Sequence, residues 1–172
     1  MIQGDIVALT EMRSPDSETL FGWINTPETV RMNAPYSPVH QPGHEAWMAA
    51  LGADPARVVF AIRDGTGERL LGMVQLIDLH PVHRSAELII RIGEEGERGK
   101  GAGSEAVRLA VEYAFHDRNL QRVWLTVFAD NARAIRAYEK AGLQIEGTKR
   151  RAYFIDGQWR DGLIMAVLRD HV

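Results

Sequence analysis

The sequence of 172 residues contains no cysteine. This absence excludes a disulfide framework, a zinc site with Cys ligands and a thiol nucleophile. No stretch reaches the roughly 18 apolar residues that a membrane helix needs. The first residues lack the basic and apolar segments of a secretory signal. We therefore expect a cytoplasmic protein without a membrane partner, which agrees with the reducing compartment that low cysteine usage favours.

A surplus of positive charge is also missing, since 20 Lys and Arg stand against 23 Asp and Glu, a net charge of −3. Nucleic-acid-binding proteins usually carry a basic surplus, so no nucleic-acid partner is expected. Hydrophobic residues make up 45% and charged residues 25%, an ordinary balance without a break along the chain. The composition predicts one domain over residues 1–172, long enough to bury a core.

Helical and strand patterns alternate irregularly along the chain. The early part predicts a short strand over residues 5–9, a helix from 14 toward 23 and a second helix over 44–51. Between these helices, residues 26–43 hold four of the seven prolines and are predicted to be irregular. The remainder predicts strands at 57–62, 70–79, 87–92, 123–128, 147–155 and 159–168, with helices at 104–118 and 131–141. This order predicts an α+β fold with a single mixed, mostly antiparallel sheet flanked by helices.

A glycine-rich loop, Arg98-Gly99-Lys100-Gly101-Ala102-Gly103, lies between a predicted strand and a predicted helix. Glycines let successive backbone N–H groups point into one concavity, and a helix N-terminus adds partial positive charge. A pyrophosphate suits such a site. The P-loop and dinucleotide patterns both fail, because Gly101 follows Lys100 and Ser104 replaces the third glycine. The alternative is a solvated charged turn.

Asn131 and Tyr138 form a second constellation on the predicted helix that follows strand 123–128. Residues seven apart lie within about 20° of each other on a helix. Each residue alone would be explained by a helix cap and a partly buried tyrosine.

These motifs together resemble a known family. The loop matches the Arg/Gln-x-x-Gly-x-Gly/Ala signature of the GCN5-related N-acetyltransferase (GNAT) superfamily, and Asn131, Tyr138, Gly142 and Leu143 match its second motif. Residues 150–165 are similar to the subfamily of ribosomal-protein N-terminal, spermidine and nucleotide-sugar amine acetyltransferases. The resemblance covers about residues 4–172, is strong over 87–165 and is weak before residue 70, where the family builds its substrate pocket.

The resemblance implies that acetyl-CoA is the cosubstrate and that no metal takes part. The loop from Arg98 to Gly103 would hold the pyrophosphate. The strand with Ile90, Arg91 and Ile92 would pair with the pantetheine arm and splay from strand 123–128. Asn131 would help to hold the pantetheine, and Tyr138 would be the general acid for the departing thiolate. The acceptor would be a small-molecule amine or a protein N-terminal amine, and a homodimer is plausible by analogy.

The remaining assignments stay open. Glu87 is a candidate general base, although a strand glutamate is more often solvated or salt-bridged, and Glu28 is a poorer candidate. Without a thiol nucleophile, direct transfer in a ternary complex is expected. Trp23, Trp47 and Tyr36 lie in the region expected to cover the substrate, with core packing favoured for the tryptophans. Two alternatives to an enzyme are a silent coenzyme A sensor and a nucleotide-binding protein.

Overall fold

The computed structural model describes residues 1–32, 37–93 and 99–171, apart from the side chains of Glu28, Met32 and His171. The strands are β1 (Ile2–Gln3), β2 (Val7–Thr10), β3 (Val58–Asp64), β4 (Leu70–His80), β5 (Ser85–Ile92), β6 (Arg122–Phe128), β7 (Gln144–Ile155) and β8 (Gln158–Leu168). The helices are α1 (Asp16–Ile24), α2 (Pro27–Met32), α3 (Gln41–Ala49), α4 (Ala102–His116) and α5 (Ala132–Lys140), followed by a final 3-10 turn at Arg169–His171.

The eight strands of the described residues form one sheet in the order β1-β2-β3-β4-β5-β6-β8-β7. Every neighbouring pair is antiparallel except β5 and β6, which run parallel. That parallel pair is joined by the crossover helix α4, as a parallel connection requires. The predicted α+β fold with a mixed, mostly antiparallel sheet is confirmed.

Helix α4 supplies the main layer of the core against this sheet. Its buried positions recur at helical spacing, and Val107, Val111 and Phe115 are each at most 1% exposed. They join buried side chains of β2, β4, β6 and β8 in one cluster. Burying side chains of this size contributes about 1.5–3 kcal/mol each. This packing fixes the start of α4, and hence the loop before it, relative to the sheet.

Two predictions for the first 50 residues were wrong. The strand predicted over 5–9 is β2, Val7–Thr10, and the two-residue β1, Ile2–Gln3, precedes it. Between them the Gly4 N–H donates to the Val7 carbonyl oxygen at 2.9 Å and closes a turn. The segment 26–43 is not irregular throughout, since its described residues include α2 and the start of α3, with residues 37–40 outside any helix or strand. Pro27 and Pro42 lie at helix starts, where the missing proline N–H costs nothing.

Trp23 and Trp47 pack beside Leu20, Ala61, Leu70 and Met73 in a second, smaller cluster, so both belong to the core as favoured. Trp23 also lies against Gly93, where an added Cβ would come within 2.0 Å of the indole. Tyr36 lies outside the described residues. Within the described ranges, no helix is both long and apolar enough for a membrane span.

Candidate active site

A cavity opens where β5 and β6 part. The two strands pair only at Ser85–Arg122, Ala86–Val123 and Glu87–Trp124, and the ladder then ends although both strands continue. The resulting gap belongs to a cavity of about 750 Å³, lined by the diverging strands, the glycine loop and α5. This is the splayed central strand pair that the family resemblance predicted.

The described part of the glycine loop forms one end of this cavity. Gly99 and Gly101 have φ of 86° and 93°, in the left-handed region that favours glycine. Gly101 is also the N-cap residue of α4, so the loop leads into the positive end of a 15-residue helix. Gly99, Gly101 and Gly103 all line the cavity. Backbone N–H groups in this conformation at a helix N-terminus suit a pyrophosphate.

The three other residues predicted to bind the pyrophosphate are Ala102, Lys100 and Arg98. The Ala102 side chain is only 2% exposed and packs in the main core, so its contribution to a ligand can come only from its backbone. Lys100 is exposed. Arg98 lies outside the described residues, and its predicted role stays a prediction.

The β5 strand forms one wall of the cavity. Ile90, Arg91 and Ile92 all line it, on the strand whose pairing with β6 has already ended. Burial lowers the pKa of the Arg91 guanidinium, which reflects its position inside the gap. An extended ligand arm could add to the β5 edge as a further strand would.

Helix α5 forms the opposite wall and brings Asn131 and Tyr138 to the same cavity. The Asn131 side-chain oxygen accepts the N–H of Ala134 at 3.2 Å, so the residue caps the helix as predicted. Gly142, with φ of 90°, follows the end of the helix. Both Asn131 and Tyr138 line the cavity, as residues seven apart on one helix face can.

Tyr138 is partly buried against the main core. Burial raises the pKa of its hydroxyl from 10.0 to about 12, because the phenolate would lose its water. The phenol is therefore protonated throughout the physiological pH range. The role of Tyr138 as the general acid stays a prediction.

Glu87 lines the cavity at the last β5–β6 register pair. Burial raises the pKa of its carboxyl, the negative charge of Asp78 raises it further, and the positive charge of Lys149 lowers it. A raised carboxyl pKa makes Glu87 a better proton acceptor than an ordinary surface glutamate. Glu28 lies on α2, and its side chain is outside the described part of the chain.

The sequence did not predict six residues that line the cavity: Trp124, Thr126 and Phe128 on β6, Lys149 and Tyr153 on β7, and Ser104 on α4. The β6 side chains alternate between core and gap, so Trp124, Thr126 and Phe128 line the cavity. Thr126 receives a hydrogen bond from Lys149 Nζ at 3.4 Å, and the Phe128 ring meets Tyr153 edge to face at 5.0 Å. The alternation of β6 could have identified Thr126, but no sequence pattern places Lys149 and Tyr153 beside it. Ser104 donates to the carbonyl oxygen of Ala137 at 2.9 Å.

His80 and His83, weighed as a metal pair, lie at the end of β4 and in the turn that follows it, and the His83 N–H donates to His80 Nδ1 at 3.0 Å. Among residues 1–32, 37–93 and 99–171, no three His, Asp or Glu side chains are grouped as metal ligands would be.

Comparison with known proteins adds independent findings. The model of the acetyltransferase (GNAT) domain matches residues 7–144. The spermidine N(1)-acetyltransferase of Escherichia coli is 38% identical over 98 residues, covering 57% of this chain and 52% of that protein. The matched part of this chain thus spans about half the length of that relative.

Two solved structures are similar over nearly the whole chain. The spermidine N-acetyltransferase of Vibrio cholerae in complex with CoA and spermine has a TM-score of 0.86 and 27% identity, covering 96% of each chain. A dodecameric structure of the spermidine N-acetyltransferase from the same organism has a TM-score of 0.80 and 27% identity, covering 95% of this chain and 94% of that one.

Proposed function

Since this chain belongs to the acetyltransferase (GNAT) domain family, we propose that it transfers an acetyl group from acetyl-CoA to a primary amine. The observation that carries the proposal is the convergence of three features on one cavity. A glycine loop at a helix N-terminus, a pair of diverging strands and a partly buried Tyr138 all face it. Residues 1–172 would form a single acetyltransferase domain.

The residues present fit the cosubstrate. The positive-φ glycines and the start of α4 would hold the pyrophosphate, and the β5 edge with Ile90, Arg91 and Ile92 would lie along the pantetheine arm. Asn131 would contact the same arm from α5. Bound acetyl-CoA would supply the acetyl thioester.

Glu87 is the base in this proposal. A lysine-like amine is neutral at pH 7 in about one molecule per few thousand, so the acceptor must lose a proton before it attacks. Glu87 lies at the point where the strands part and has a raised pKa, as a general base near neutral pH requires. Amide N–H groups on the β5 edge would stabilise the negative charge that develops on the carbonyl oxygen.

Tyr138 is the acid. It keeps its proton at neutral pH and would donate it to the departing sulfur. Burial raises the pKa of a thiol as it raises that of a phenol, so both groups shift in the same direction in this site. With no cysteine in the chain, the amine attacks directly while both substrates are bound.

The names of the similar proteins support a class of acceptor amine. The relative in E. coli is named for spermidine and the V. cholerae structure contains spermine. We propose a small-molecule amine, with polyamines as the leading candidates and a protein N-terminus as the alternative. The dodecameric neighbour supports self-association, a homodimer being the smallest symmetric unit. A cytoplasmic location stays a prediction from the sequence.

The test is release of free thiol from acetyl-CoA across a panel of polyamines, amino sugars, amino acids and peptides with free N-termini. The cysteine-free chain adds no thiol background. Release that depends on one amine class supports the proposal and identifies the acceptor. Tight binding of acetyl-CoA with no release from any amine would support the sensor alternative instead. ATP stabilising the fold where acetyl-CoA does not would support the nucleotide-binding alternative.

A further inference from the structure

Glu105, in the first turn of α4, binds the backbone of residues 5–7 through its carboxylate. The carboxylate is 9% exposed and accepts three consecutive backbone N–H groups, from Asp5 at 3.0 Å, Ile6 at 2.7 Å and Val7 at 2.6 Å. Burial alone would raise the pKa of Glu105, but these N–H groups and Arg108 together lower it. The carboxylate is therefore ionised at neutral pH.

The turn from Gly4 to Val7, called here the N-terminal turn, is shaped around this carboxylate. A Cβ at Gly4 would come within 2.7 Å of Glu105 Cδ and 2.8 Å of the Val7 carbonyl oxygen. Only glycine leaves the space that the carboxylate occupies. The N-terminal turn thus forms a binding site for the Glu105 carboxylate, which distinguishes this contact from an incidental surface hydrogen bond.

The N-terminal turn in turn contacts the glycine loop. Ile6 Cδ1 lies 2.9 Å from the position that a Cβ at Gly101 would take. Gly101 is the left-handed N-cap of α4, and its carbonyl oxygen accepts the Glu105 N–H at 3.0 Å. Glu105 is therefore linked to Gly101 in two ways, by its own backbone N–H and through Ile6.

We propose that Glu105 is a positioning residue for pyrophosphate binding, acting through Ile6 and Gly101. The inference rests on the proposed function. By fixing the N-terminal turn, Glu105 keeps Ile6 against the loop and holds the loop N–H groups in the orientation that the diphosphate needs. Glu105 itself does not line the cavity, so its effect reaches the ligand only through the loop.

The test compares two donors, acetyl-CoA and acetyl-pantetheine, which lacks the diphosphate and the nucleotide. We expect Glu105→Gln to raise KM for acetyl-CoA about tenfold, the scale of one charge-assisted hydrogen bond. The kcat at saturation should stay within about twofold, and kcat/KM for acetyl-pantetheine should match the unsubstituted enzyme. If Glu105 contributed only to general stability, Glu105→Gln would lower kcat/KM for both donors by the same factor.

Ile6→Ala is the second variant, because it leaves the carboxylate contacts in place and removes the contact with Gly101. Ile6→Ala should likewise raise KM for acetyl-CoA and leave kcat/KM for acetyl-pantetheine unchanged. Glu146→Gln is the matched control, since Glu146 lies on β7, away from the N-terminal turn, and its carboxylate accepts hydrogen bonds from Arg122. Calorimetric affinities for CoA and pantetheine repeat the comparison without turnover. They therefore separate failure of this inference from failure of the proposed function.

Equal losses with both donors in Glu105→Gln and Ile6→Ala, or unchanged affinity for CoA in both, would overturn the role of Glu105. If Glu105→Gln does not fold, the result for Ile6→Ala decides the question.

Discussion

Ser104 donates its hydroxyl proton to the backbone carbonyl of Ala137, with 2.9 Å between the two oxygens. The bond links the first turn of α4, next to the glycine loop, with α5 at the residue before Tyr138. It therefore ties the part of the site that would bind the diphosphate to the part that would donate the proton.

Ser104→Ala should lower kcat by about three- to tenfold, because Tyr138 loses a fixed position relative to the ligand. The free energy of unfolding should fall by only about 0.5–1.5 kcal/mol, the usual net value of one hydrogen bond. Steady-state kinetics and urea denaturation measure the two effects. Ser104→Thr retains a hydroxyl and should recover most of the rate; a rate as low as that of Ser104→Ala would show that this bond does not position Tyr138.

Tyr138→Phe should lower kcat by about 10- to 1,000-fold, the scale of losing a general acid. The affinity for acetyl-CoA should hardly change, since the ring remains. Because burial raises the pKa of Tyr138 to about 12, the rate of the unsubstituted enzyme should show no Tyr138-dependent fall through pH 10. Pre-steady-state acetyl transfer at several pH values measures both properties.

Tyr113→Phe provides the matched control for Tyr138. Tyr113 lies on α4 and packs edge to face on Phe60 at 5.0 Å. Its rate should equal that of the unsubstituted enzyme. A Tyr138→Phe variant as fast as this control would exclude Tyr138 as the acid.

The acidic limb of the pH profile should report Glu87, which must be ionised to accept a proton. Burial and the charge of Asp78 raise its pKa, whereas Lys149 lowers it. Asp78→Asn should therefore move the limb of kcat/KM to lower pH, and Lys149→Met should move it to higher pH. Asp78 has φ of 52°, which asparagine tolerates well.

Because Asp78→Asn and Lys149→Met should move the acidic limb in opposite directions, the pair tests Glu87 specifically. A general change in the site would move both variants the same way. Glu112→Gln, on the surface of α4, should leave the limb where it is. If neither Asp78→Asn nor Lys149→Met moves the limb, the base is a different group.

Asp16→Asn should cost about 3–5 kcal/mol of unfolding free energy, because it leaves a buried charge without its partner. Asp16 Oδ2 accepts a hydrogen bond from Arg63 Nη2 at 2.6 Å, and the two side chains are 8% and 3% exposed. The exposed pair of Asp54 and Arg57, at 4.0 Å, offers the control Asp54→Asn, which should cost less than about 1 kcal/mol. Urea denaturation compares the two. Similar costs would show that the buried pair contributes nothing special.

The sequence predicted the region after residue 57 far better than the region before it. From β3 to β8 the strands alternate or run apolar, and turns such as Asp156-Gly157 have φ of 50° and 75°, as a hairpin turn requires. In the first 50 residues, prolines suggested loops, yet Pro27 and Pro42 lie in the first turns of helices. Proline marks either a break or a helix start, and only the tertiary context decides between them.

Local motifs also predicted only part of the site. Asn131, Tyr138 and the loop glycines, all of which line the cavity, were predicted because they match short family motifs with fixed spacing. Ser104, Lys149 and the Glu105 contact with residues 5–7 depend on segments far apart in the chain. Glu105 contacts residues about 100 positions away, and no periodicity encodes that pairing.

Helix α5 carries Asn131 at its cap and Tyr138 near its end, yet no side chain in this fully described helix is completely buried. Segments with little burial open locally at a lower free-energy cost than the core. A ligand that contacts only the closed helix adds stability by mass action, about 1.4 kcal/mol for each tenfold excess over its Kd. Bound acetyl-CoA would thus stabilise α5, the helix that carries Tyr138. Local opening of α5 would then become rarer as the concentration of acetyl-CoA rises.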